Sequence, residues 1–447
     1  MKLYLNDYLK SYAKDKPIRM HMPGHKASGR FCKLFPAGKK DITEIESKGL
    51  YSAIENVHKD LRSIYGVGFV KILTDGATSG VLSMINAVKD LGDSLIVQKS
   101  SHKSVYNALE INGIKPIFTK SSLTEGLYDL PSAEETAKLL DANKNAIGVL
   151  YTYPDYYGRT FDLCEIAKEV HDRGKILLID NSHGGHFAFM DKVVYAGAHA
   201  DIWVDSLHKV FSTLNQGALL MAKDKKWQEK LEESAQKFIT TSPSYPIMAS
   251  CEYGVKERLE EKISALKLEK IIEKQVEKLK ESKIYTLVGQ DIFKIVVNVE
   301  KSRLDRVELL KKLEKAKIYY ELFDGKYMIF MLSAKTKKSQ VEKLCKVLKS
   351  VRRKDEPLKT DKQNLELKTK LDYISALKLP SEEIDLTSSE KRVLATNCGI
   401  TPPCYPLAVA GEVITSELIE TLLDATNKNK AFGVINGKIK VIKKENL

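Results

Sequence analysis

From residue 55 to residue 222 short apolar runs alternate with stretches of helical period. Glu55 to Tyr65 has the spacing of an amphipathic helix, and Phe69–Leu73 reads as a strand. A polar stretch bounded by glycines, Thr74 to Gly80, reads as a turn, and Val81 to Lys89 as a helix. The same alternation gives strands at Ser94–Val97, Ala146–Tyr151, Lys175–Asp180, Asp201–Asp205 and Gln216–Met221. Strands alternating with helices read as an open α/β arrangement.

The texture changes after residue 222. Lys226 to Lys237 reads as a helix, Thr240 to Pro246 as an extended turn, and Met248 to Lys280 as one long charged helix. Residues 285–350 alternate strand and helix, which suggests a small α/β domain. A charged linker over 352–370 leads into a last segment, 371–447, which holds Pro402-Pro403 and ends in a hairpin around Asn436-Gly437. The first fifty residues read as an irregular arm.

The formal charge of +13 raises the question of nucleic acid. Only 11 of the 72 basic residues are arginine, and the lysines alternate with glutamates as on a solvated helix face. Nucleic acid is therefore not the expected partner. No apolar run is long enough for a bilayer, and the start of the chain lacks a signal-peptide pattern. The six cysteines are scattered without a C-x-x-C pair, which fits a reduced cytoplasm and offers no metal framework.

The candidate chemistry centres on Asp201 to Lys209, a short buried strand ending in Ser206-Leu207-His208-Lys209. A desolvated lysine is a good Schiff-base nucleophile, and Ser206 and His208 beside it are possible phosphate donors. That combination suggests pyridoxal phosphate; the bland alternative is a solvated turn. Asp180 ends the clearest buried strand and needs a cationic partner, which the pyridinium nitrogen would supply. The 76–80 stretch, with Ala77, Thr78 and Ser79, is a possible phosphate cradle at a helix start or an ordinary helix cap. His102 lies just past a strand end, where open α/β sheets bind ligands, though a lone histidine there is more often structural.

These features, in this order, resemble the Orn/Lys/Arg decarboxylase family of pyridoxal-phosphate enzymes. The resemblance rests on His21-Met22-Pro23-Gly24-His25-Lys26, Asp41 to Glu44, Ser101 to Val105, Tyr156-Tyr157-Gly158, Thr241 to Tyr245, Gly411-Glu412 and the S-L-H-K at 206–209, and covers nearly the whole chain. It implies an aspartate-aminotransferase-like fold (fold type I), with a large mixed, mostly parallel α/β sheet domain, a small α/β domain and a C-terminal α+β domain. The expected division is an arm over 1–50, a cofactor-binding domain over 51–247, a bridging helix and small domain over 248–351, the linker over 352–370 and a C-terminal domain over 371–447. The pattern is that of the family's short form, without a receiver-like leading domain.

The resemblance also implies roles. Lys209 would carry the cofactor, Asp180 would face the pyridine nitrogen, and His102 would stack on the ring. Ser206, His208 and the 76–80 turn would hold the phosphate. His183 would stand near the phenolic oxygen, and Lys209 or His208 would return a proton to the substrate. The substrate would be arginine, lysine or ornithine, decarboxylated by a cytoplasmic homodimer or assembly of dimers with sites at the interface. Glu44 and Glu321 are candidates for the substrate's distal cation. Some positions depart from the family pattern: Ala77 replaces a hydroxyl residue, D-E-A-H becomes Asp180-Asn181-Ser182-His183, and the segment after Glu44 is shortened. Another pyridoxal-phosphate reaction, such as transamination or β-elimination, or a non-catalytic paralogue, remains an alternative.

Overall fold

The computed structural model describes residues 1–44, 48–120, 122–287, 289–354, 367–401 and 404–446. Most of the charged linker and the Pro402-Pro403 pair lie outside the described residues. The chain forms two compact units. The first comprises Met1–Ala87, Tyr153–Thr160 and Ile179–Pro357; the second comprises Val88–Thr152, Phe161–Leu178 and Leu358–Leu447.

In chain order the elements that matter here are α1 (Tyr4–Lys14), α2 (Lys48–Tyr65), β1 (Phe69–Leu73), α3 (Gly76–Val88), β2 (Ser94–Val97), α4 (Lys103–Asn112), β3 (Lys115–Phe118), β4 (Ala146–Thr152), β5 (Ile176–Asp180), β6 (Ile202–Asp205) and β7 (Ala218–Ala222). These seven strands form one sheet in the order β1-β7-β6-β5-β4-β2-β3. Pairs β2–β3 and β2–β4 are parallel, whereas β7 runs antiparallel to both β1 and β6. Every residue of β6 and β7 is buried, as expected of strands that read as unbroken apolar runs. The large sheet is thus mixed.

Several boundaries differ from the sequence reading. The arm is not wholly irregular, since it opens with α1 and has a short helix at Gly29–Leu34. Leu5 and Leu9 of α1 are fully buried, and Glu252 accepts the Leu5 and Asn6 backbone N–H groups at 3.0 and 2.9 Å. A buried carboxylate thus satisfies donors that a helix start leaves without partners. The 76–80 stretch is the first turn of α3, with Gly76 entering it at φ +78°. The long charged helix is two helices, α5 (Tyr245–Glu260) and α6 (Lys262–Glu281), separated by Glu261. Glu261 leaves the helical conformation (φ −97°, ψ 16°), and both it and Glu257 pair with Lys335. The pairing draws two successive turns toward one cation at the point where the helix breaks.

Also in the first unit, β8 (Lys294–Asn298), β9 (Leu322–Phe323) and β10 (Tyr327–Met331) form a small sheet in the order β8-β10-β9, with helices at Arg306–Lys315 and Lys338–Ser350. In the second unit, the C-terminal segment contributes two three-stranded sheets, and Asn436 and Gly437 make the hairpin turn with φ of 51° and 74°. Lys99 and Glu412 form a buried ion pair there at 2.6 Å. Among the described residues no helix is long and apolar enough to cross a membrane.

Gly80 lets α3 lie close to the sheet. A Cβ there would stand 2.8 Å from Leu73 Cδ1 and 2.9 Å from Val204 Cγ1. Gly80→Ala is expected to cost about 1–3 kcal/mol by overpacking, read as a lower urea midpoint at unchanged slope.

Candidate active site

The first unit brings the ends of β5 and β6, adjacent strands of the sheet, to the same place as the turn that carries Lys209. Asp180, the last residue of β5, is buried. Its Oδ1 accepts from the Ser182 backbone N–H at 3.1 Å and from the Ser182 hydroxyl at 2.5 Å. Two residues after Ser182 the chain turns into Gly184 and Gly185, which let it fold back: a Cβ at Gly184 would lie 2.1 Å from Asn181 Oδ1.

Lys209 sits in a single turn of 3-10 helix, Leu207–Lys209, directly after β6. Its Nζ lies 3.0 Å from His183 Nε2. The His183 ring meets Tyr156 edge to face at 5.0 Å between centroids, and Tyr156 donates its hydroxyl to Glu321 Oε1 at 2.7 Å. Ser206 and His208 meet each other, with Ser206 Oγ 3.2 Å from His208 Nδ1, which also lies 3.3 Å from the Gly217 carbonyl oxygen. Burial holds the His208 imidazole below its ordinary pKa; the Gly217 carbonyl opposes this and the Lys209 charge adds to it. Burial thus favours its uncharged form.

Ala77, Thr78 and Ser79 lie in the first turn of α3, where backbone N–H groups have no acceptor within the helix. Ser79 does not cap: its hydroxyl donates to the Gly76 carbonyl at 2.9 Å. The loss of a hydroxyl at Ala77 leaves the backbone donors of this turn in place. His102 belongs to the second unit, where it caps α4: its Nδ1 accepts the Ser104 backbone N–H at 3.2 Å. Glu44 is already occupied on both oxygens, by Tyr245 Oη at 3.1 Å and Thr43 Oγ1 at 3.0 Å.

Three groups were not singled out from the sequence. Asp205, the last residue of β6, is fully buried and accepts from Asn181 Nδ2 at 2.5 Å and from Tyr195 Oη at 2.8 Å. Burial pushes its pKa up to about 7 against those two bonds, and the charge of Asp180 adds to the rise. The sequence signal was available, since Asp205 ends a buried strand just as Asp180 does. The Asn181 substitution in the D-N-S-H run thus has a local use, as a donor to Asp205. The second group is His186, whose Nε2 lies 2.9 Å from Asp291 Oδ1 with both side chains almost wholly buried. The third is Lys294, buried, donating to the Asp155 and Tyr156 carbonyls at 3.2 Å each and lying 3.9 Å from Asp291. Burial lowers the Lys294 pKa to about 8, with Asp291 opposing. Only long-range pairing reveals these last two.

The donor set fits pyridoxal phosphate: an amine for an aldehyde, a buried carboxylate for a ring nitrogen, and a helix N-terminus for a phosphate. Among the described residues no group of three or more His, Cys, Asp or Glu is placed to hold a metal ion. Fold and donors together define the class: an α/β chain with the fold of the fold-type-I pyridoxal-phosphate enzymes. The family follows from comparison with known proteins. Residues 53–330 match the family described as Orn/Lys/Arg decarboxylase, major domain, and the chain belongs to that family. It is 26% identical to the uncharacterized protein YaaO of Bacillus subtilis, over 92% of both chains. It is 24% identical to an arginine decarboxylase of the same organism, over 92% of this chain and 91% of that one. The lysine decarboxylase LdcF of Francisella novicida superposes with a TM-score of 0.77 at 18% identity, covering 98% of this chain and 81% of that structure.

The raised pKa of Asp205 makes a pH prediction. Its protonated form is favoured in the folded state, so the stability it contributes is complete below its ordinary value of 3.8 and is lost as pH rises to about 7. At about 1.4 kcal/mol for each pH unit, the loss amounts to a few kcal/mol. Asp205→Asn is expected to flatten this slope, checked by urea midpoints of both proteins at pH 5 and pH 8.

Proposed function

We propose that this chain is a pyridoxal-phosphate-dependent decarboxylase that converts a basic amino acid, arginine, lysine or ornithine, to its amine and carbon dioxide. The observation that carries the reading is the placement of Lys209 Nζ against His183, on a turn after β6, beside the strand that ends in buried Asp180. Pyridoxal phosphate, when bound, supplies an aldehyde that captures amines and a ring that accepts the electron pair left by departing carbon dioxide.

The chain's own residues supply the rest. Lys209 would hold the cofactor through its side-chain amine. Its neighbour His183 sets the position of Nζ through a 3.0 Å contact. Asp180 keeps a proton on the ring nitrogen, with Ser182 fixing its carboxylate through Oδ1. The first turn of α3 and the Ser206–His208 pair would bind the phosphate. Lys209, or His208, moves the proton that returns to the substrate's α-carbon.

The working unit in this reading is a homodimer or an assembly of dimers in the cytoplasm. Its support is the arm, where Ile18, Met20, Met22, Leu34 and Phe35 expose large apolar side chains.

The test is product analysis. Purified protein with pyridoxal phosphate and each of arginine, lysine and ornithine is expected to release agmatine, cadaverine or putrescine, measured by mass spectrometry. Lys209→Ala should abolish both turnover and the visible absorbance of the lysine-linked cofactor. Asp180→Ala should bind the cofactor weakly and lose at least about a hundredfold in rate. A keto acid in place of an amine would identify a transaminase instead.

A further inference from the structure

We infer that Glu321, set in place by Tyr156, is the group that receives the distal cation of the substrate, and so selects basic amino acids. The inference rests on the decarboxylase reading above and names the specificity device of the same site.

A substrate cation needs a carboxylate that is held, near Lys209, and not already spent. Neighbouring carboxylates of the first unit are spent. Asp155 is bound by Arg159 at 2.7 Å, Asp291 by His186, and Asp205 by Asn181 and Tyr195. Glu44, the other candidate, has both oxygens engaged. Glu321 is exposed and has no ion-pair partner among the described residues; a single neutral donor, the Tyr156 hydroxyl, holds one of its oxygens.

Tyr156 connects that carboxylate to the reactive amine. Its ring leans on His183, and His183 meets Lys209. Its backbone is fixed from below by Lys294, which donates to the carbonyls of residues 155 and 156. Asp155 closes the same turn, accepting from the Tyr157 and Arg159 backbone N–H groups at 2.9 and 2.8 Å, and Gly158 completes it at φ +82°. A buried lysine spent on two carbonyls makes this turn a rigid shelf. Buried Lys294 also feels the charges of both Lys209 and Glu321. In this arrangement Glu321 meets the cation directly and Tyr156 is a positioning residue.

The experiment titrates holoenzyme with arginine, lysine, ornithine and the uncharged norleucine, following the change in cofactor absorbance on binding, so that no turnover is needed. The wild type is expected to prefer its basic amino acid over norleucine. Glu321→Gln should weaken binding of that amino acid by about 10–100-fold, the loss of one charge-assisted contact, with norleucine affinity and the free holoenzyme spectrum unchanged. Tyr156→Phe should show a smaller loss in the same direction. Turnover should follow with a raised KM and little change in kcat. If Glu321→Gln keeps the preference for the basic amino acid, the inference is overturned while the decarboxylase reading stands. If the wild type itself shows no preference, the basic substrate class fails and the inference falls with it.

Discussion

An amine that must attack a carbonyl cannot be held in a tight ion pair. In the proposed reading Lys209 is that amine, and its Nζ lies 3.0 Å from His183 Nε2. The imidazole sets the position of Nζ, and nearby carboxylates carry bonds of their own. Ser182 holds Asp180, Asn181 and Tyr195 hold Asp205, and His186 holds Asp291. Each of these buried carboxylates thus has at least one hydrogen-bond partner, which offsets part of the cost of burying it.

The position of Lys209 depends in turn on the sheet. β6 and β7 are buried at every residue, and β7 pairs antiparallel with both β6 and β1. This packing fixes where β6 ends and hence where the 207–209 turn begins. Gly80 brings α3 down onto Leu73 and Val204, so the helix start is tied to the same strand. One layer of close contacts therefore sets both the amine and the N–H groups of the α3 turn. A shift in β6 would move them together.

Much of this was legible in the sequence because it is local. Apolar runs marked β5 and β6, the carboxylate at the end of β5 stood out against them, and the S-L-H-K turn followed its strand directly. What was not legible depends on distance along the chain. Glu252 caps α1 from 247 residues away, and nothing near Tyr4 announces it. Tyr156 and Glu321 meet across 165 residues, and His186 and Asp291 across 105. The break at Glu261 was hidden for a different reason. Alternating lysine and glutamate on an exposed face look the same in one helix or two, and only Lys335 drawing on Glu257 and Glu261 marks the spot.

The two strand-end carboxylates show why a motif alone does not assign a role. Asp180 and Asp205 occupy equivalent positions on adjacent strands, and both are buried. Two full negative charges side by side in a low dielectric would repel strongly. Burial and the neighbouring Asp180 charge raise Asp205 to about 7, so its protonated form is the one the fold favours. Its bonds to Asn181 and Tyr195 then make it a structural tie between the end of β6 and the start of the D-N-S-H run. Asp180, bonded through one oxygen to Ser182, is left as the carboxylate suited to a cationic partner. The family's altered middle residues serve that division, since Asn181 binds the second carboxylate and Ser182 orients the first.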